Sequence, residues 1–535
     1  MERDFRSLEQ GPYDLLVVGG GIYGAWTAYD ATLRGLRVAL VEQGDWASAT
    51  SSSSSKLIHG GLRYLEYGHL GLVRKTLDER RRLARLAPHR VRPLRFLLPV
   101  YRGDRVGRTR MSVGMWIYDR LAGSGQPVAP HRRLGREEVL RLAGLEPDGL
   151  KGGFLFGDCR TDDARFTLEI VDGAQRAGAV AVNRASVREL VVEGRRVLGA
   201  RVEDLEGGET PIEVRAGTVV GCTGPFDLRL PAGVEPSRNV ATRLTKGVHL
   251  VLPGLESEDA LVISSNDDSR IVFLIPWYGR TLLGTTDTDY RGDPREVRVD
   301  RADVDYLLER ANGVLQNDGW TRADIVGAFA GLRTLPDTGG APSRVTREWR
   351  PSSPIAGLLL SIGGKFTSAR ADAVSLVDRV LRETDRPAGP SPTGDRPFPW
   401  CPAGRFDEWR DGTVRVGIGL GLDEETAANC AMRYGSRVVR LFEHLRQRQE
   451  LARRIVLDAP FCLAEAVHAV RDEMATTLED VLRRRIPLVL LCRLSDENVQ
   501  EVSRLVAREL GWTDERRGRE VRDLISKHRL EGAVP

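Results

Sequence analysis

The chain has 535 residues, of which 41% are hydrophobic and 29% charged, and its formal net charge at pH 7 is +4. This length predicts two or three domains, and so small a net charge argues against nucleic acid as a partner. The six cysteines lack metal-site spacing, and neither a secretory leader nor the roughly 18 to 20 apolar residues of a membrane span is predicted, so we expect no metal and a cytoplasmic location or a peripheral one on the inner face of the cell membrane.

The first predicted elements are a strand, a glycine turn, a helix and a second strand. Residues 15–18 and 38–41 are short apolar runs typical of buried strands. Glu42 ends the second run and can accept hydrogen bonds from an adenosine ribose. A glycine-rich turn in some other α/β protein would leave Glu42 unexplained, so the pattern predicts a dinucleotide site with its phosphates at the helix N-terminus. The G-x-G-x-x-G motif between the two runs is formed by Gly19, Gly21 and Gly24.

A serine run follows the second strand. Ser51 to Ser55 are five consecutive serines, and a segment with Lys56, His59 and Arg63 comes directly after them. Short hydroxyl side chains can donate to phosphate oxygens without holding the backbone away. The alternative is a disordered serine linker, but the run lies between a strand and a dense apolar and basic segment, which favours an ordered phosphate loop.

The rest of the chain predicts three regions. Residues 12–385 contain strand-like stretches that recur well after the glycine turn, which indicates a discontinuous nucleotide-binding domain. From about 244 to 324 apolar and polar residues alternate, which predicts an inserted antiparallel sheet that forms a substrate domain. Residues 386–404 are rich in Pro and Gly and predict a linker, and residues 405–535 predict a helical C-terminal domain. One C-terminal stretch, "RLFEHLRQRQELARR", is either a dimer face or a free surface, so a homodimer stays open.

A basic and aromatic segment lies early in the chain. Between Arg74 and Arg110 there are 13 lysines and arginines against 3 acidic residues. Apolar side chains are interleaved with them, which is typical of a segment that binds an anionic membrane surface. The alternative is a solvated helical surface whose apolar side lies in the core. The interleaved side chains are Phe96, Leu97, Trp116 and Tyr118.

Several blocks together resemble one family, the FAD-dependent glycerol-3-phosphate dehydrogenases, which are membrane-associated flavoenzymes of glycerol catabolism. In order, the blocks are "VVGGGIYGAWTAYDATLRGLRVALVEQGD", "ATSSSSSKLIHGGLRYLE", "DDARF", "TGPF", "TKGVHLVLP", "RIVFLIPW", "GTTDTDYRGDP", "GLRTLP" and "GGKFTSAR". The resemblance implies an α/β fold of the amino-acid-oxidase type with FAD as cofactor. It also implies oxidation of sn-glycerol 3-phosphate to dihydroxyacetone phosphate, by hydride transfer from C2 to flavin N5, with membrane quinone as the electron acceptor.

The resemblance also assigns the cofactor contacts. In the family, the serine-rich loop wraps the flavin's phosphate and ribityl region, and the next segment passes under the isoalloxazine ring. The cofactor-binding residues implied in this sequence are Gly19, Gly21, Ile22, Gly24, Glu42, Thr50, Ser51, Ser52, Lys56, His59, Gly60, Val187, Thr223, Gly224, Gly364, Lys365 and Phe366.

The expected chemistry needs a base for the C2 hydroxyl proton and cations for a phosphate dianion. His59 is the only histidine of its block and is our candidate base or substrate contact, although it could instead pack under the flavin, and His249 is its rival. Guanidinium forks and an ammonium suit the phosphate. The catalytic candidates are therefore His59, Arg63, Tyr64, Arg333, Arg347 and Lys365.

Departures from the family pattern leave other functions open. Gly221 and Cys222 stand where asparagine and alanine are common in the family, which leaves room for a paralogue with a related hydroxy or amino substrate. The sequence shows no second cofactor motif, so electrons leave the flavin directly, to quinone or to oxygen. The alternatives are an oxidase that releases hydrogen peroxide, an amino-acid or amine oxidase of the same fold, and a flavin-binding or membrane-scaffold protein without turnover.

Overall fold

The structure is a computed structural model that describes residues 1–208, 210–230, 242–255, 257–264, 270–316, 319–336, 348–384, 387 and 389–528. Its strands, in chain order, are β1 (Tyr13–Val18), β2 (Val38–Val41), β3 (Leu57–Ile58), β4 (Arg92–Tyr101), β5 (Arg132–Leu134), β6 (Leu150–Arg160), β7 (Val180–Val182), β8 (Ala185–Glu193), β9 (Arg196–Asp204), β10 (Ile212–Gly221), β11 (Thr242–Pro253), β12 (Ala260–Ser264), β13 (Ile271–Trp277), β14 (Arg280–Gly284), β15 (Thr288–Tyr290), β16 (Gly327–Pro336), β17 (Arg350–Ile355) and β18 (Leu358–Ile362).

Helices connect the strands and make up most of the C-terminal part. They are α1 (Ile22–Leu33), α2 (Arg63–Glu66), α3 (Leu70–Leu86), α4 (Arg108–Ala122), α5 (Arg136–Leu142), α6 (Asp163–Arg176), α7 (Arg301–Asn312), α8 (Ala369–Glu383), α9 (Phe406–Gly419), α10 (Glu424–Tyr434), α11 (Val438–Gln447), α12 (Leu463–Glu473), α13 (Leu488–Leu491), α14 (Asp496–Leu510) and α15 (Asp514–His528). A π-helix, Asp480–Arg485, lies between α12 and α13.

The first sheet carries the nucleotide-binding motif. Its order is β17–β18–β10–β1–β2–β7, and β9 pairs with both β10 and β8. The strands from β18 to β7 run parallel. Leu15 and Val17 of β1 share a core with Trp26 of α1, Phe166 of α6 and Leu376 of α8, because a parallel sheet buries both of its faces under neighbouring elements. Since β10 and β18 come long after β2 in the chain, the prediction of a discontinuous domain is confirmed.

The second sheet is larger than the sequence predicted. Its order is β15–β11–β14–β13–β12–β4–β6–β3, with β16 on β11 and β5 on β6. The expected insertion of about 244–324 was too narrow, because residues 57–160 contribute β3 to β6 and β16 follows residue 324. Its pairs are antiparallel except β4 with β12, which are parallel. The arginines of β4 hid this strand: Arg95 is exposed and Arg92 half-buried, while Phe96 and Leu98 are buried.

The C-terminal domain is helical, as predicted, and packs directly on the second sheet. Phe96 and Phe329 of the sheet share one core with Tyr434, Phe461 and Leu490 of the helical part. Because one continuous apolar core crosses this junction, the C-terminal domain and the sheet are expected to unfold together.

The predicted linker is packed rather than extended. Phe398 and Trp400 are buried, and the Trp400 indole N–H donates to Asp172 of α6 over 2.6 Å. Phe398 and Trp400 thus anchor the segment in the core of the nucleotide-binding half.

A buried ionic contact joins the C-terminal domain to the nucleotide-binding loop. The Asp45 carboxylate accepts hydrogen bonds from Arg484 Nε and Arg485 Nη1, both over 2.6 Å. Burial alone would raise the pKa of Asp45, but Arg485 and Arg484 outweigh burial and hold that pKa well below its ordinary value. The loop after β2 is therefore fixed by side chains from the far end of the chain.

Candidate active site

A cavity of about 510 Å³ lies where the two sheets meet. The first sheet and its loops contribute residues 21–23, 47–51, 53–55, 222–228 and 363–367 to its wall. The second sheet contributes His249 and residues 331–335. The cavity therefore runs from the glycine turn to the face of the second sheet.

The glycine turn leaves no room for side chains. Gly19 has a φ of +111°, and a Cβ there would lie 2.4 Å from the Cys222 carbonyl oxygen. A Cβ at Gly24 would lie 1.8 Å from the Gly19 carbonyl oxygen. Gly19, Gly21 and Ile22 line the cavity, and Gly24 lies behind them, where it lets α1 start close to β1.

Glu42 holds the turn through the main chain. Its carboxylate accepts hydrogen bonds from the Gly20 N–H over 2.5 Å and the Gly44 N–H over 2.6 Å. Burial raises the pKa of Glu42, and these two N–H groups act in the opposite direction. Glu42 lines the cavity together with Val187, so both occupy the end predicted for the adenosine.

The serine run is an ordered turn rather than a linker. Thr50–Ser52 form one turn of 3-10 helix, and Ser51 Oγ accepts a hydrogen bond from the Ile22 N–H over 2.9 Å. The Ser54 hydroxyl donates to Asp163 over 2.7 Å. Thr50 and Ser51 line the cavity next to the N-terminus of α1, as a phosphate loop requires.

Two predicted cofactor contacts lie behind this wall. Ser52 is buried beneath the turn and does not line the cavity. Lys56 is buried as well, and its ammonium donates to Asp163 over 2.6 Å and lies over the ring of Trp277. Neither side chain is placed to touch the cofactor directly, so both support the turn from below.

In the segment after the serines, some residues line the cavity and others pack in the interior. His59 lines the cavity, and its N–H donates to the Thr367 hydroxyl over 3.2 Å. Gly60 lies away from the cavity, where its N–H donates to the Tyr118 hydroxyl over 3.0 Å. Of this pair, His59 alone has access to a ligand, and Gly60 serves close packing.

Arg63 and Tyr64 begin α2 and do not line the cavity. The Lys365 ammonium lies 4.4 Å from the centre of the buried Tyr64 ring, and Lys365 itself lines the cavity. Tyr64 is therefore placed to orient Lys365 through a cation–π contact.

The second sheet brings Arg333 and His249 to the opposite wall. Arg333 donates to the Thr285 hydroxyl over 3.0 Å and to the Asp287 carboxylate over 3.3 Å. His249 Nε2 lies 2.8 Å from Ser55 Oγ. Burial lowers the pKa of His249 well below its ordinary value, and the charges of Arg333 and Lys56 lower it further, so His249 is neutral at neutral pH.

Most of the remaining predicted residues line the same cavity, and one is not placed. Arg347 lies outside the described residues. Sequence reasoning missed Tyr23, whose hydroxyl accepts from the Lys365 N–H over 3.0 Å and donates to Asp372. The position of Tyr23 directly after the glycine turn was the available signal. The other predicted residues that line the cavity are Thr223, Gly224, Gly364 and Phe366.

Comparisons with known proteins agree with this arrangement. Residues 14–359 match the family model described as FAD dependent oxidoreductase, and residues 401–517 match the model described as C-terminal domain of alpha-glycerophosphate oxidase. The chain is 37% identical over 521 residues to a glycerol-3-phosphate dehydrogenase from Mycobacterium leprae, which covers 95% of this chain and 87% of the relative. It is 34% identical over 497 residues to the aerobic glycerol-3-phosphate dehydrogenase of Bacillus subtilis, which covers 91% of this chain and 89% of the relative.

A solved structure has the same architecture over its whole length. The glycerol-3-phosphate dehydrogenase from Bacillus halodurans, complexed with FAD, superposes with a TM-score of 0.79 at 29% identity. The match covers 99% of this chain and 96% of that one.

Fold and site together define an FAD-dependent oxidoreductase. Within that class, the chain belongs to the glycerol-3-phosphate dehydrogenase family, as the sequence blocks predicted. Its cofactor is FAD, and the residues present fit this group. The glycine turn leaves space for a pyrophosphate beside α1, Glu42 lies at the ribose end, and the cavity continues to His59 and Arg333.

Proposed function

We propose that this protein oxidises sn-glycerol 3-phosphate to dihydroxyacetone phosphate and passes the electrons to membrane quinone. One observation carries the proposal: Arg333 and Lys365, which suit a phosphate dianion, line the same cavity as the histidines His59 and His249. The names of the relatives support this choice of substrate.

Arg333 is the main phosphate ligand of the proposal. Its guanidinium is oriented by Thr285 and Asp287 before any ligand arrives, so little side-chain entropy is lost on binding. Asp287 also offsets part of its charge, so Lys365 on the facing wall supplies a second cation. Together they hold the substrate by its phosphate and leave C2 to the interior of the cavity.

The chain offers two groups for the C2 hydroxyl proton. His59 and His249 both line the cavity, and the lowered pKa of His249 keeps its ring neutral but makes it the weaker base of the two candidates unless the bound substrate stabilises the protonated form. Bound FAD supplies the hydride acceptor. Substitution of each histidine by Gln, with flavin reduction followed across pH, separates the base from a positioning group.

Membrane quinone, the proposed electron acceptor, requires the protein to bind a membrane surface. Phe96, Leu97 and Tyr118 were predicted as interfacial side chains, but all three are buried, so that part of the prediction was wrong. Val113 and Trp116 of α4 are 54% and 55% exposed. No described helix combines the length and apolarity needed to cross a bilayer.

An apolar patch on α3 and α4 remains for peripheral attachment. We use the name α3–α4 patch for Leu70 of α3 and Val113 and Trp116 of α4, which are each about half exposed on two helices that pack on each other through other side chains. Exposed arginines on the same helices, such as Arg74 and Arg110, suit anionic lipid headgroups. Because quinone is dissolved in the bilayer, such a surface would bring the flavin close to its acceptor.

Anaerobic reduction tests the substrate. Glycerol 3-phosphate added to the purified protein without oxygen should bleach the flavin absorbance band, and free glycerol at the same concentration should not. A band that stays unchanged with glycerol 3-phosphate would contradict the proposal.

Oxygen is the second candidate acceptor. It is favoured by the match of residues 401–517 to a model named for alpha-glycerophosphate oxidase. Coupled peroxide detection during aerobic turnover distinguishes the two acceptors, since an oxidase releases one peroxide per substrate and a quinone reductase releases little.

A further inference from the structure

A second cavity, of about 290 Å³, lies where three parts of the chain meet. We call it the junction cavity. It is lined by Arg92 of β4, Arg160 of β6, Tyr278 between β13 and β14, and Arg433 of α10. It shares no lining residue with the larger cavity, so it is separate from the flavin site.

Two arginines face each other in this cavity. Arg92 and Arg160 are directly opposite in the antiparallel register of β4 and β6. Neither guanidinium has a hydrogen bond or ion pair with any residue that the structure describes. Burial lowers the pKa of Arg92, and the charge of Arg160 lowers it further. Like charges directly opposite on neighbouring strands destabilise a sheet, so these two positions carry a cost that an anion would remove.

Other polar atoms of the wall also lack partners among the described residues. Arg433 is 1% exposed, and its Nη1 makes no hydrogen bond although Nε and Nη2 are held by Glu465. The Thr161 hydroxyl, 7% exposed, and His89 Nδ1 are likewise unpaired. A buried donor without an acceptor is costly, and Arg433 Nη1 is such a donor in the wall of the junction cavity, which Thr161 and His89 also line.

The acidic residues of the wall are already engaged. Asp162 caps α6 and accepts from the Arg165 N–H over 3.1 Å. Glu425 accepts from Arg454 over 2.8 Å. Neither carboxylate forms an ion pair with Arg92. Asp407 also acts on Arg92, but from outside the wall, and it pairs with Arg410 over 3.4 Å, so the unpaired charge that lines the cavity is positive.

We propose that the junction cavity binds a dianionic phosphate, either inorganic phosphate or a small phosphate monoester, held between Arg92 and Arg160. Guanidinium forks match phosphate oxygens in pairs, and Thr161 and Arg433 supply further donors. Arg433 belongs to the C-terminal domain and Arg92 to the second sheet, so the ligand bridges the two. Bound phosphate therefore stabilises the docking of the C-terminal domain.

The test is a calorimetric titration of the holoenzyme at constant ionic strength, with inorganic phosphate in one arm and glycerol 2-phosphate in the other. Because Arg333 also suits phosphate, the titrations are repeated in Arg333→Ala. We expect a binding event that persists in Arg333→Ala and that, in the Arg333→Ala background, is weakened about tenfold or more by Arg92→Gln and by Arg160→Gln. The matched control is Arg133→Gln, an exposed arginine of β5, which should bind as the wild type does.

Thermal unfolding provides a second measurement. With Arg333→Ala present in every protein compared, phosphate should raise the melting temperature of the otherwise unchanged protein and of Arg133→Gln, and leave that of Arg92→Gln unchanged. Without phosphate, Arg92→Gln should melt no lower than the wild type, because it removes one of two facing charges. Binding that survives both Arg92→Gln and Arg160→Gln, or that disappears only in Arg333→Ala, would overturn the proposal. The titration with the tighter binding identifies whether the site prefers inorganic phosphate or glycerol 2-phosphate. Either preference supports the proposed phosphate site.

Discussion

The nucleotide end and the substrate end of the large cavity are built in different ways. The nucleotide end is mostly main chain, drawn from residues 19–55, with Glu42 and the serine turn bonded to neighbouring N–H groups. The substrate end consists of charged side chains from distant segments, among them His249, Arg333 and Lys365. We therefore expect substitutions at the nucleotide end to abolish FAD binding. Substitutions at the substrate end should weaken substrate binding while FAD stays bound.

The largest effect should come from Gly24→Ala. The new Cβ would lie 1.8 Å from a main-chain oxygen that cannot move without opening the turn. We expect nearly all FAD to be lost, measured as flavin absorbance per protein. Gly71→Ala, at a helix position with open space around it, is the control and should stay yellow. A Gly24→Ala protein with one FAD per chain would contradict the claim that the main chain of the nucleotide end decides FAD binding.

Asp45→Asn tests the one part of the nucleotide end that depends on distant side chains. It leaves Arg484 and Arg485 without their shared carboxylate, and breaking a buried ion pair costs about 3 to 5 kcal/mol. Denaturant unfolding measures this loss. Asp78→Asn, which breaks an exposed pair with Arg81, should cost about 0 to 1 kcal/mol. Equal losses in the two variants would show that the buried contact adds no stability.

The same contact predicts the direction of acid sensitivity. The pKa of Asp45 is depressed in the folded state, so its contribution is present above the unfolded value of about 3.9 and is lost as the pH falls through the folded value. The free-energy difference between wild type and Asp45→Asn should therefore shrink as the pH is lowered from about 4. A difference that grows on acidification would contradict this sign.

At the substrate end, Arg333→Ala should keep FAD and weaken glycerol 3-phosphate. Loss of a charge-assisted hydrogen bond costs about 1.5 to 3 kcal/mol, or roughly 10- to 150-fold in affinity. Steady-state kinetics measures the loss, and free glycerol should stay as poor a substrate as before. If FAD is lost together with substrate binding, the two ends are not independent.

The smallest effect should come from the α3–α4 patch, which lies outside both ends. Trp116→Ser should lower binding to anionic vesicles by roughly fivefold, since about half of a large side chain would leave the lipid. Turnover with a soluble dye should stay at the wild-type rate. Leu457→Ser, which alters a side chain 85% exposed on the C-terminal domain, serves as the control. Equal vesicle binding by the Trp116 variant and the wild type would rule out this surface.

Sequence reasoning succeeded where neighbours in the chain are neighbours in space. Gly19, Glu42 and Ser51 were predicted to lie together and do line one cavity, because a single strand–turn–helix–strand unit and the turn directly after it carry them. Lys56 was expected at the cofactor, but its partner Asp163 comes from α6, and no local pattern predicts that pair.

The same limit applies to the second sheet. The segment that forms β4 was predicted to lie at a membrane surface or on a solvated helix, because its arginines are interleaved with apolar residues. Its place in the sheet depends on pairing with β6 and β12, far along the chain. Arginine content alone cannot separate a solvated face from the outward side of a strand.

The contact of Asp45 with the π-helix also affects the stage of synthesis at which the loop after β2 can fold. Arg485 is synthesised 440 residues after Asp45. At about 5 to 20 residues per second, each nascent chain spends roughly 20 to 90 s with this carboxylate made and its partners still missing. During that time a charge without these partners favours hydration over packing, and the loop between Glu42 and the serine turn is held only by its contacts with the nucleotide-binding half, such as that of the Ala47 N–H with the Gly20 carbonyl oxygen. We therefore expect stable retention of the flavin to be a late step that follows synthesis of the π-helix Asp480–Arg485.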